Sequence, residues 1–150
     1  MEIVRYEPRH LDALLALCRT EGWISFAGNP DRAGRAMTGP GVTALVAVER
    51  VAGGGESGGG EERAVGFSQA VGDGAFGGYL CMLLVDPAAR GRGIGKALVE
   101  ATLVESGVLR LDLLSSERAM SLYERFPHNK IPGFRIYPDE SLIPAEARST

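Results

Sequence analysis

The chain has 150 residues, a formal net charge of -3, and 45% hydrophobic against 23% charged residues, the balance of one globular domain with a buried core. So small and negative a charge excludes the basic face that nucleic acid requires. No apolar run approaches the ~20 residues of a membrane helix, and Met1-Glu2-Ile3-Val4-Arg5 lacks the pattern of a signal peptide, so a cytoplasmic location is expected.

Ile3 to Tyr6 reads as a first strand. Leu11, Leu14, Leu15 and Cys18 then fall at helical spacing, with Pro8 near the start and Gly22 past the end. The loop Glu21-Gly22-Trp23-Ile24-Ser25-Phe26 follows, and Asn29 or Asp31 is expected to cap a short helix carrying Ala33, Ala36 and Met37. Val42 to Val48 and Ala64 to Val71 read as antiparallel strands, joined by a glycine-rich connection over 52–62 that is expected to be flexible. Gly72-Asp73-Gly74 marks a turn. Tyr79 to Val85 is an unbroken apolar run, which predicts a strand buried on both faces. Ile94, Ala97, Leu98, Ala101 and Val104 recur at helical spacing up to Gly107. Val108 to Leu114 reads as the next strand, and Ser115 or Ser116 is expected to cap a helix with Ala119, Met120, Leu122 and Tyr123. Phe134 to Tyr137 is expected to form a last short strand. The class is mixed α/β (α+β), with a single domain over 1–140 and a tail over 141–150.

The two cysteines, Cys18 and Cys81, lie far apart, and no CxxC or Cys/His spacing signals a metal or a redox pair. Reduced core thiols and no metal are the expectation. The chemistry concentrates instead where the run ending at Val85 meets Pro87 and passes through Arg90-Gly91-Arg92-Gly93-Ile94-Gly95-Lys96 into a helix. Alternating glycines open backbone conformations closed to other residues and let a ligand approach closely. Free N–H groups at a helix start, with the positive end of its dipole, bind phosphate oxygens. Arg90, Arg92 and Lys96 are expected to reinforce the sign, although Lys96 could equally be a solvated helix residue. A Walker loop fails, because Ala97 follows Lys96, and GxGxG past mid-chain does not suit a dinucleotide fold.

The run Val85-x-Pro87-x-x-Arg90-Gly91-x-Gly93-x-Gly95 resembles the pyrophosphate loop of the GNAT superfamily of N-acetyltransferases. Ala119-x-x-Leu122-Tyr123-Glu124 and Gly133-Phe134 resemble that family's second block, although Pro127 to Pro132 stands between them as an insertion. The likeness implies a mostly antiparallel mixed sheet with a V-shaped splay between the strands ending at Val85 and Leu114. Acetyl-CoA would lie there as co-substrate, its pantetheine along Leu83, Leu84 and Val85 and its diphosphate on the amides of Arg90 to Gly95, with Lys96 and Ser116 as further contacts. For Ser116 a helix cap is the competing role. Tyr123 matches the tyrosine that protonates the departing thiolate, or it packs in the core beside Met120.

The activity so implied is acetyl transfer to an amine, on a small molecule or a peptide, by direct attack in a ternary complex. No GxSxG or Cys/His pair offers a covalent route. Glu21, Asp73, Asp112, His10 and His128 are each more ordinary as solvated groups than as a base. Asp112 is expected to share a strand face with Arg110 and Leu114. Trp23 and Phe26 either line the acceptor pocket or plug the edge of the core. A non-catalytic acyl-CoA-binding sensor or regulatory module would carry the same loop, and Tyr123 separates the two readings. The oligomeric state stays open, with a homodimer among the options.

Overall fold

The computed structural model describes residues 1–51 and 61–137. Five strands form one sheet in the order β1 (Glu2–Arg5), β2 (Val42–Val51), β3 (Glu61–Gly72), β4 (Gly77–Val85) and β5 (Arg110–Asp112). The first four are antiparallel neighbours and β5 joins β4 in parallel. A parallel step needs a long crossover, which α4 (Ile94–Ser106) supplies. Before β2 come α1 (Leu11–Thr20), α2 (Ile24–Ala27) and α3 (Pro30–Thr38), and after β5 comes the single turn α5 (Met120–Tyr123).

Alternation along β2 divides the core into two layers. Val46 and Val48 pack with Leu14, Leu17, Cys18 and Met37 beneath α1 and α3, whereas Leu45 and Ala47 pack with Ile94 and Leu98 of α4. Ser68 and Thr102 are buried between β3 and α4 and satisfy each other, Oγ to Oγ1 at 2.7 Å, while Thr102 also donates to the Leu98 carbonyl at 2.7 Å.

The sheet carries two bulges. Val65 is the extra residue between the pairs Ala47↔Gly66 and Val48↔Ala64, and Cys81 between Gln69↔Met82 and Ala70↔Leu80. The second one revises the reading of β4. Leu80 faces Val99 of α4, but past Cys81 it is Leu83 and Val85 that face α4, while Met82 and Leu84 turn to Phe67 on the other layer. Only the second half of the run is covered on both faces; Tyr79 (37% exposed) and Cys81 are open.

Other expectations are corrected. The strand read over Val108 to Leu114 pairs only at Arg110–Asp112, so it ends before Leu114. Phe134 to Tyr137 forms no strand, and Phe134 and Ile136 are 87% and 89% exposed. Pro132 and Pro138 bracket that segment and cannot donate to a ladder, and three residues of β5 offer little edge to pair with. Within the loop read after Gly22, Ile24–Ala27 is a helical turn. Asn29 precedes α3 but makes no cap; its Nδ2 donates to the Ser25 carbonyl at 2.8 Å. Ser116 precedes the 3-10 turn Glu117–Ala119 without a capping bond, and Ser115 donates to the Ser116 carbonyl at 2.8 Å. Glu61 and Glu62 belong to β3. The rest of the glycine-rich connection, 52–60, and the tail expected over 141–150 lie outside the described residues.

Candidate active site

The β4–β5 ladder sets the site's outline. The two strands pair only at Gly77↔Arg110, Gly78↔Leu111 and Tyr79↔Asp112. Beyond Tyr79, the edge of β4 from Leu80 to Val85 has no strand partner on the β5 side among the described residues. The expected splay is therefore present, opening at the Cys81 bulge. An unpaired edge can take an extended chain as an added strand. The Leu84 side chain is core, 3% exposed against Phe67, so only its backbone could serve a ligand.

At the open end of β4 the chain is pinned twice and bare between. Asp86 Oδ1 accepts from the Ala88 N–H at 2.9 Å, closing the 3-10 turn Pro87–Ala89. Ala89 and Ile94, 1% and 2% exposed, anchor the two sides of the loop in the α4 layer. Arg90 to Gly93 are exposed between them. Gly91 and Gly93 have φ of 76° and 81°, left-handed values that a side chain disfavours, and α4 starts directly after Gly93. Arg90 N–H reaches the Pro87 carbonyl, and Ala97 N–H the Gly93 carbonyl. Among the described residues the amides between them, 91 to 96, have no backbone acceptor. A cluster of free amides at the positive end of a helix of 13 residues fits a diphosphate.

The cations do not stand free around this cluster. Arg92 pairs with Glu49 of β2. Lys96 pairs with Glu100 one turn on, its Nζ 5.7 Å from the centre of the Phe126 ring. Arg90 Nε donates to the Val85 carbonyl at 3.2 Å, and its Nη2 lies 2.6 Å from Glu21 Oε1. Arg90, Arg92 and Lys96, expected to reinforce the anion site, each stand beside a carboxylate as well as beside the free amides.

Glu21, at the end of α1, was not legible as a partner. Its second oxygen accepts from Arg118 Nη2 at 2.8 Å, across 97 positions of sequence. Burial would raise its carboxyl, but the hydrogen bonds and charges of Arg90 and Arg118 outweigh that and hold it below the usual carboxylate range. With both oxygens taken by arginines and its pKa held low, it is a poor proton acceptor. Asp73 is held low by the amides of Ala75, Phe76 and Gly77, whose turn it closes. Asp112 and Arg110 do share a face, Nε to Oδ2 at 3.7 Å, both exposed. His10 is buried in the first turn, where its Nδ1 accepts from the Glu7 N–H at 2.9 Å; His128 lies exposed beside the Phe126 carbonyl.

Tyr123 is half-buried against the cluster of Ala70, Leu80 and Val99, with Leu83 of the open edge beside it. Burial pushes its phenol above the ordinary 10.0, so it keeps its proton. Its helix is seated through Leu122, which covers Gly95: a Cβ there would lie 3.3 Å from Leu122 Cδ2. Cys81, on the bulge, is exposed rather than the core thiol expected, and partial desolvation still pushes its thiol up, which disfavours the thiolate. Trp23 and Phe26 both pack on Phe67, centroids at 6.4 Å, one edge-on and one stacked. They close the edge of the core while remaining partly exposed.

A splayed mixed sheet, an open β4 edge and a glycine loop of free amides at the start of α4 come together at one end of the sheet. The model described as Acetyltransferase (GNAT) domain matches residues 43–126, and the chain belongs to that family. Among curated relatives it is similar to serotonin N-acetyltransferase 2, chloroplastic, of Oryza sativa subsp. japonica, 32% identical over 80 residues, 51% of this chain and 37% of that protein. The chain thus spans little more than a third of that relative's length. Two solved structures share the fold. Ribosomal-protein-alanine N-acetyltransferase from Brucella melitensis biovar Abortus 2308 matches with a TM-score of 0.67 at 20% identity over 92% of this chain and 98% of that one. The aminoglycoside N-acetyltransferase AAC(6')-Iy in complex with CoA matches with 0.67 at 16% identity over 93% and 94%.

Proposed function

We propose that the chain transfers an acetyl group from acetyl-CoA to an amine by direct attack in a ternary complex. The observation that carries this reading is the run of unpaired amides over 91–96, set at the mouth of the unpaired β4 edge. When bound, acetyl-CoA supplies the thioester whose C–S bond breaks as the nitrogen–carbon bond forms. The amides hold the diphosphate, and the backbone of Leu83 to Val85 lines up the pantetheine as an added strand. Tyr123 gives its proton to the departing sulfur, and Ser116, free of a capping role, is a further contact for the arm. Glu21 and Asp73, each held low by its own partners, are poor proton acceptors, so the acceptor enters as the free amine and its proton leaves to water, from which Tyr123 regains the one it gave.

The three named relatives act, by their names, on serotonin, on a ribosomal protein's alanine and on aminoglycosides, so the acceptor class is a small-molecule or peptide amine. The test is release of free CoA thiol when acetyl-CoA is mixed with a panel of such amines, paired with native mass spectrometry for retained CoA and subunit count. Thiol release that depends on an amine supports transfer. CoA binding with no release across the panel favours the sensor reading, and no CoA binding at all overturns both.

A further inference from the structure

Glu21 touches two segments that frame the site and that, among the described residues, no other polar contact joins. It ends α1, faces the cofactor loop through Arg90 and faces the segment leading into α5 through Arg118. Its side chain is only 11% exposed, which limits the screening that weakens surface ion pairs. The helix at the far end needs such a tie. Neither Glu117–Ala119 nor α5 contains a buried residue, and α5 is one turn long. Its other seats are Leu122 on Gly95 and Tyr123 on the Leu80–Val99 cluster. Arg118 lies five residues before Tyr123 along the same stretch, so holding Arg118 bears on where Tyr123 is held against the Leu80–Val99 cluster.

We propose that Glu21 and Arg118 are positioning residues for the reaction: the Arg90–Glu21–Arg118 bridge ties the phenol-bearing turn to the cofactor loop, so that Tyr123 is held where the departing sulfur will be. This rests on the acetyl-transfer reading above and deepens it. Arg90 serves as the fixed end, since it is also held by the Val85 carbonyl at the tip of β4. Arg118 is the movable end.

The experiment cuts the movable end. The Arg118 side chain is 78% exposed, so Arg118→Ala leaves the core untouched and the variant folds. With acetyl-CoA and whichever amine the parent accepts, kcat falls about tenfold through misplacement of the acid. The Kd for CoA, measured by titration, stays within about twofold, because the Arg90–Glu21 pair and the loop amides remain. Arg118→Lys, which keeps a charge able to reach Glu21, restores most of kcat. Unchanged kcat in Arg118→Ala overturns the proposal, as does an equal loss in Arg118→Lys or a matching loss of CoA affinity. A parent protein that binds no CoA or moves no acetyl group instead overturns the underlying reading, so the two failures are told apart before any variant is made.

Discussion

Desolvation at Tyr123 sets a pH signature that belongs to one side chain. Its phenol is raised above 10.0, so the acid form persists across the neutral range and is lost only at higher pH. The kcat/KM for an amine should therefore climb with pH as the acceptor loses its proton, and turn down only above pH 10. Tyr123→Phe should lower kcat on the order of a hundredfold with little change in CoA affinity. A pH-rate profile beside CoA titrations checks both. Cys18, on the buried face of α1, is raised from 9.0 to about 11 by burial. A raised pKa in the folded state means that stability is complete below pH 9 and is lost as pH climbs through about 11. Urea midpoints measured across that window should fall, with a shallower slope in Cys18→Ala. Trp23→Ala, which uncovers Phe67, should cost roughly 2–3 kcal/mol in urea unfolding and leave the acceptor's KM nearly unchanged. Spacing showed where the glycines fall and the family resemblance singled out Tyr123, but neither showed the partners of the charges. The pairings of Arg92 with Glu49 and of Glu21 with Arg118 are made by the fold and are not written in the local pattern.

At the scale of elements, the β4–loop–α4 unit was the most legible part, because each of its features is local. A strand stopped by Pro87, φ-permissive positions at Gly91 and Gly93, and a helix closed by Gly107 at φ 67° are all written in neighbouring residues. The bulge at Cys81 was not, since it arises from a register mismatch between β3 and β4 that no single strand encodes. The same holds for β5, whose length is set by where it parts from β4. Gly95 links two elements. Its bare Cα accepts Leu122, so Gly95→Leu should dislodge α5, lowering kcat about tenfold or more while far-ultraviolet circular dichroism stays that of the parent.

For the whole molecule, the order of strands and helices read from the sequence pointed to a mixed α/β domain, the resemblance carried by the glycine loop implied its mostly antiparallel sheet, and the family match over 43–126 agrees with that resemblance. The final strand was misread, because the residues of Phe134 to Tyr137 have strand propensity but find no edge to join. The central claim is that amides released at the start of α4 grip the diphosphate of CoA. Calorimetric titration of CoA into Gly93→Val tests it most directly, since a β-branched side chain at φ 81° strains the loop by about 1–3 kcal/mol and leaves the core residues unchanged. Binding at least tenfold weaker than in the parent is expected, at a thermal midpoint showing the variant folded. A folded variant that takes up CoA as tightly as the parent would contradict the claim.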